Sequence, residues 1–338
     1  MTECIASFFF SLLLTTFSMP FFIKFMHFLQ KQGQPIREKG PQSHFAKQGT
    51  PTMGGVLILT VILLTSFLFA QMDNPFVLLT LFVMTGFGLI GFEDDFYKLK
   101  RHSSNSGITG KQRLFWEFLI GGIAVSVALY FLPATFATRV YIPLWHYWFP
   151  LYFLYVAFGA FLLAGTTNAV NLTDGLDGLV SLPLIIVLLC LCFFGFICAN
   201  PPLNTLLHLR YIPQISVICP VALAAVGALC GFLIFNHKPA EIFMGDVGAL
   251  GLGGMIAMMA ILTKSEIIFG IICFLFVIEA LSDIIQVFFY KRTGKKVFLM
   301  APIHHHFEKK GWSEIKVVFV FWSFALLMAV VGLVLGML

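Results

Sequence analysis

Ten long, predominantly apolar stretches follow one another along the chain, beginning near Ile5, Met53, Pro75, Leu114, Tyr147, Leu179, Ile212, Val247, Ile267 and Ile315. About 20 helical residues cross a hydrocarbon layer of about 30 Å, so each stretch is predicted to be a membrane span. A water-soluble fold is excluded independently: only 11% of the 338 residues are charged and 59% are hydrophobic, which leaves too few charges to cover a soluble surface. The chain therefore reads as an all-α polytopic membrane protein, a single domain over residues 1–338 with ten transmembrane helices. The stretch from Val247 is short and carries Gly248, Gly251, Gly253 and Gly254, small residues that allow close helix contact. The first stretch has no basic residue before it and runs on through Pro20 to Lys24, the pattern of a span rather than of a removable leader.

Orientation follows from the basic residues, because Lys and Arg in short loops are retained on the cytoplasmic side. Sixteen of the 21 fall in the loops after the odd-numbered spans, whereas the opposite loops hold only Arg139, Arg210 and Lys264. Both termini are accordingly expected on the outer side. The net charge of +5 is explained by this bias and by anionic membrane lipid, so no nucleic-acid partner is implied. The seven cysteines form no CxxC pair and read as buried thiols.

Most acids cluster at the inner ends of spans, and that face is where chemistry is expected. The first cluster is Glu93-Asp94-Asp95 with Lys98 close behind. A helix C-terminus repels carboxylates by about 0.3–1 kcal/mol each where they are partly exposed, so a divalent cation or a lysine should compensate. Adjacent residues on a helix point about 100° apart, so Asp94 and Asp95 need not share one job. The second cluster, Asn168 to Gly178, sets Asn171, Asp174 and Asp177 among glycines, which permits close backbone approach to a sugar or a metal. It lacks the EF-hand spacing. The third, Phe243-Met-Gly-Asp246, combines an aromatic able to stack a base with a carboxylate able to hold a metal or to cap a helix.

The fourth cluster, His304-His305-His306, offers imidazoles that splay apart, better suited to phosphate contact or proton transfer than to one shared zinc. No GxxxxGKS/T loop occurs, so ATP-driven transport of that type is disfavoured, although Lys47, Lys111 and the histidines could hold phosphate. Within the spans, Glu117, Glu279 and Asp283 should face the bundle or its mouth. Glu279 and Asp283 lie one turn apart, a spacing that also suits an ion-coupled transporter.

Taken together, Lys47 with Thr50-Pro-Thr52-Met-Gly-Gly55, Glu93-Asp-Asp95, Asn168 to Gly178, Phe243-Met-Gly-Asp246 and Ala301-Pro-Ile-His-His-His306 resemble the phospho-N-acetylmuramoyl-pentapeptide transferase family. That family belongs to the polyprenyl-phosphate N-acetylhexosamine-1-phosphate transferases. The resemblance spans almost the whole chain. It implies a multi-pass protein of the bacterial inner membrane, with periplasmic termini and a cytoplasmic active site. Undecaprenyl phosphate would attack UDP-N-acetylmuramoyl-pentapeptide to give lipid I and UMP, with Mg²⁺ required.

By the same resemblance, Asp246 would hold Mg²⁺, with Asp94 and Asp95 as base, nucleophile or metal support, and His304 would join the catalytic set. Lys47, Thr52, Lys111, Asn171, Asp174, Asp177, Phe243, Gln286, His305 and His306 would line the substrate site. Members are often homodimers. No residue pattern separates a covalent phospho-enzyme on Asp94 from direct attack by the lipid phosphate. The rival readings are a relative that uses UDP-N-acetylglucosamine and a transporter built on Glu279 and Asp283.

Overall fold

A computed structural model describes residues 2–30, 49–101, 107–206 and 210–337. Lys47 lies outside the described residues, as do Lys31, Arg37 and Lys39. In chain order the helices are α1 (Thr2–Leu29), α2 (Gly54–Phe69), α3 (Pro75–Lys100) and α4 (Gly110–Phe131). A hairpin of β1 (Arg139–Ile142) and β2 (Tyr147–Pro150) intervenes. Then come α5 (Leu154–Thr173), α6 (Ser181–Cys198), α7 (Pro201–Leu206), α8 (Cys219–Asn236), α9 (Gly245–Leu262), α10 (Glu266–Ile272), α11 (Phe274–Thr293), α12 (Ile303–Lys309) and α13 (Glu314–Met337).

Eight of these helices (α1, α3, α4, α5, α6, α8, α9 and α13) are long and apolar enough to cross a membrane, and α10 with α11 forms a ninth candidate bent by 78°. The apolar helix α2 has 16 residues and is shorter than a full span. The protein is thus a largely helical, multi-pass membrane protein. Its outer surface agrees: Phe21 and Phe28 of α1 are 74% and 73% exposed, tolerable for such side chains in lipid and costly in water.

Local chemistry sets several helix starts. Asn74 caps α3 by accepting from the Phe76 amide at 2.9 Å, with Pro75 in the first turn, where its missing N–H costs nothing. Thr109 and Gln112 form a reciprocal capping box at α4: the Thr109 hydroxyl accepts from the Gln112 amide at 3.3 Å, and the Gln112 side chain accepts from the Thr109 amide at 3.2 Å.

The glycine-rich α9 is the central helix, buried along its whole length from Val247 to Leu262 and packed by α2, α3 and α5. Glycine is required at two of these crossings. A Cβ at Gly55 of α2 would run into the Gly248 backbone, and one at Gly91 of α3 would strike the Asp246 carbonyl. These approaches draw α2 and α3 onto the polar start of α9.

Two expectations are corrected. The fifth span does not begin at Tyr147: residues 147–150 form β2, paired antiparallel with β1 in the register Val140↔Phe149 and Tyr141↔Trp148, a short hairpin on an otherwise helical membrane protein. Alternating β-branched and aromatic residues favour the strands, and His146 with φ 46° closes the turn, but the aromatics also raise hydropathy and blur the boundary with the span that follows. The stretch from Ile267 is not one straight helix either. It breaks at Cys273, and because both halves are apolar, hydropathy runs through the break.

Candidate active site

The polar clusters meet at one end of the bundle, where α3, α5, α8 and α11 finish and α2, α4, α9 and α13 begin. The last turns of α3 carry Asp94 and Asp95, only 4% and 3% exposed. Lys98, one turn on, places its Nζ 2.5 Å from Asp94 Oδ2 and 2.8 Å from Asp246 Oδ2. Asp246 sits in the first turn of α9, a position that favours negative charge, with Arg113 Nη1 3.7 Å from its carboxylate. Asp94 also accepts from the Ile108 amide at 2.8 Å, and Asp95 from the Val247 amide at 3.2 Å. The α3 carboxylates are therefore compensated by a lysine and by backbone donors, including one from the start of α9.

The turn before α2 is fastened to the same place. The Phe243 amide donates to Pro51 O at 2.9 Å, the Gly54 amide to Phe243 O at 2.9 Å, and the Gly55 amide to Met244 O at 2.8 Å. The Gln30 side chain holds both sides of Thr52, accepting from its N–H at 3.0 Å and donating to its carbonyl at 3.2 Å. The Thr52 hydroxyl is buried without a hydrogen-bond partner among the described residues. A Cβ at Gly245, whose φ is 76°, would meet both Asp95 Oδ2 and Thr52 Oγ1, so glycine there keeps these two groups against the start of α9. Phe243 is half-buried rather than exposed.

The α5–α6 turn joins from the side. Asn168 donates to Glu117 Oε2 at 2.6 Å, and Glu117 is paired with Arg113 at 3.0 Å, so one polar chain runs from Asn168 to Asp246. Asn171 and Asp174 are half-buried on this turn. Asp177 is 5% exposed. It accepts from the Ala240 amide at 3.1 Å, and its own amide donates to Glu314 Oε1 at 3.1 Å. These bonds tie the turn to the segment before α9 and to the start of α13.

Of the histidines, His304 is fully buried, with Nδ1 3.1 Å from Glu279 Oε2. His305 pairs with Glu308 at 2.7 Å. His306 Nδ1 accepts from the Leu299 amide at 3.1 Å, and burial, with Lys310 nearby, pulls its pKa below the usual histidine value. Gln286 faces the backbone of residues 297 and 298, accepting from both amides at 3.0 Å, which fixes the turn leading to the histidines. Lys111 is exposed at the start of α4. Glu279 and Asp283 do not form a shared acidic site: Glu279 is committed to His304, while Asp283 is half-buried beyond it.

Four tethering residues have roles that their sequence positions did not announce: Gln30, Arg113, Glu314 and Glu279. Arg113 with Glu117 carried a readable signal, the i,i+4 spacing of opposite charges, and Glu279 carried a partial one as an acid within a span that should face the bundle. The others depend on contacts between distant segments.

Among the described residues no three His, Cys, Asp or Glu side chains group as a metal cage. Asp94 and Asp246 nevertheless present oxygen ligands across one ammonium group. That donor set fits a hard cation such as Mg²⁺, which is usually held by one or two carboxylates with waters or phosphates completing the shell. Asp94, Asp95 and Asp246 outnumber Lys98 and Arg113, so a divalent cation held by the carboxylates would supply the positive charge needed to neutralise a phosphorylated substrate there.

The family model for glycosyl transferase family 4 matches residues 76–264, which run from the first turn of α3 to just beyond α9 and take in Asp94, Asp95, Asn168 to Gly178 and Asp246. Residues 47–59 match signature 1 of the phospho-N-acetylmuramoyl-pentapeptide transferases, the segment whose described part is bonded to residues 243 and 244. With more than half of its length matched and that signature on the same end as the carboxylates, the chain belongs to glycosyl transferase family 4 and, within it, to the phospho-N-acetylmuramoyl-pentapeptide transferases.

Proposed function

We propose that this protein transfers phospho-N-acetylmuramoyl-pentapeptide from its UDP carrier to undecaprenyl phosphate, giving lipid I and UMP. The reaction takes place on the cytoplasmic face of the bacterial inner membrane. The observation that carries this reading is the meeting of Asp94, Asp95, Asp246, Lys98 and Arg113 at the end that also bears the signature segment. Phosphoryl transfer is catalysed mainly by positioning and by neutralising charge, which suits such a cluster. Asp246 holds Mg²⁺ with support from Asp94 or Asp95. When bound, the cation offsets charge on the pyrophosphate.

Phe243 stacks on the uracil, and Thr52, Asn171, Asp174 and Asp177 surround the nucleotide-sugar together with Lys47, Lys111, Gln286, His305 and His306. The lipid phosphate, largely anionic at neutral pH, attacks directly. Ten spans, with α2 and the bent α10–α11 pair counted as one each, put both termini in the periplasm.

The test is UMP release by purified protein given both substrates, with and without Mg²⁺ and with UDP-N-acetylglucosamine as the alternative donor. Mg²⁺-dependent UMP from the pentapeptide donor alone is expected. UMP from the N-acetylglucosamine donor alone would transfer the protein to the other branch, and none from either donor in folded protein would overturn the transferase reading.

A further inference from the structure

Glu279 and His304 lie 25 residues apart in sequence and form a buried pair between α11 and α12. Both are fully buried, with Nδ1 and Oε2 3.1 Å apart. Each retains an unused polar atom: His304 Nε2 and Glu279 Oε1 are buried without hydrogen-bond partners among the described residues. Buried polar groups are rarely left unpaired without a functional reason.

The direction of the unused nitrogen supplies one. Nε2 abuts Gly175, where any Cβ would collide with it, so the ring edge lies against the turn that carries Asp174 and Asp177. A carboxylate on Nδ1 accepts the proton there, and the other ring nitrogen is then left with a lone pair. His305, with ring centroids 4.1 Å apart, and Asp174 and Asp177 on either side of Gly175 are the titratable neighbours.

We propose that Glu279 is a positioning residue, which fixes the tautomer of His304 so that Nε2 is offered as a hydrogen-bond acceptor to an O–H or N–H of the donor's hexosamine when the Gly175 turn yields to substrate. The proposal rests on the function above for the identity of that ligand, but the tautomer does not depend on it. His304 therefore reads a sugar donor group rather than a bare phosphate oxygen, and Glu279 acts only through it.

Imidazole ¹⁵N shifts of histidine-labelled protein without substrate should show His304 as the Nδ1–H tautomer in the wild type and in Glu279→Gln, whose side-chain oxygen still accepts. Glu279→Leu should lose that preference. In turnover, Glu279→Leu should raise KM for the UDP-sugar by about 10- to 100-fold, with KM for the lipid phosphate unchanged and with recovery towards wild type in Glu279→Gln. An Nε2–H tautomer in the wild type would overturn the proposal, as would equal KM values in the wild type and Glu279→Leu. If Glu279→Leu does not fold, the wild-type spectrum and the Glu279→Gln kinetics still decide. A wild type with the expected tautomer but no UMP release would refute the function and the sugar assignment, leaving the Glu279–His304 tautomer in place.

Discussion

At the scale of single residues, the site is organised by a few cations that keep acids close together. Asp94 comes from α3 and Asp246 from α9, and Lys98, 148 residues before Asp246 in the chain, touches both. Without that ammonium two carboxylates would face each other in poorly solvated surroundings, an arrangement in which one is driven to take up a proton. His306 shows the opposite dependence on protonation. Its Nδ1 accepts from the Leu299 amide, which requires that nitrogen to be unprotonated, and its pKa is held below the ordinary histidine value. The unfolded chain therefore takes up a proton first as the pH falls. Stability contributed by the neutral ring is intact above about pH 6.5 and declines as the pH falls through the window between that value and the lower folded one. Thermal unfolding in one detergent from pH 8 to pH 5 should show a decline in the wild type that is shallower in His306→Gln. Identical slopes would mean that the Leu299 contact contributes nothing.

At the scale of elements, the end opposite the site is fastened by a buried charge cluster. Lys264 is one of the few basic residues counted in the outer loops, and its side chain is 1% exposed with its Nζ 3.0 Å from Glu266 Oε1. The same ammonium donates to Tyr155 Oη at 2.6 Å and to Ala137 O at 3.1 Å, and Tyr155 donates to Glu266. This single lysine ties α5 and α10 to the residues just before β1. Burial lowers its pKa, and Glu266 works against that shift. Removing one member of a buried pair leaves the other uncompensated, typically at about 3–5 kcal/mol. Lys264→Met should therefore lower the unfolding temperature sharply, and adding Glu266→Gln should restore part of the loss. Additive losses in the double variant would show that the two charges do not stabilise each other. A basic residue in a short loop looks the same in sequence whether it is solvated or buried, so this cluster was not legible there. The bend at Cys273 escaped for a similar reason: hydropathy records what is apolar and not where the chain turns. The α9 packing was partly legible, because four glycines in a short apolar run already implied close helix contact.

At the scale of the whole molecule, the positions of the site residues were readable because polar side chains are so scarce in this chain. With 11% of residues charged and the spans closed to most of them, most of the acids and histidines collect at span ends, and Asp94, Asp95 and Asp246 do meet at one such end. Who ties whom was not readable, since the Asp177–Glu314 and Glu279–His304 contacts depend on a three-dimensional arrangement that no local pattern encodes. The same scarcity of charge makes the orientation testable. Leu144, 69% exposed at the tip of the hairpin, and Lys295, exposed just after α11, lie at opposite ends of the bundle. The loop after α11 is rich in Lys and Arg, and moving it across the membrane is disfavoured. In a background whose seven cysteines are replaced, Leu144→Cys in intact cells should react with a membrane-impermeant maleimide, while Lys295→Cys should react only after the membrane is opened. The reverse pattern would place the Asp94–Asp246 end outside, away from any cytoplasmic nucleotide-sugar, and would defeat the proposed reaction even in a protein whose site geometry is intact.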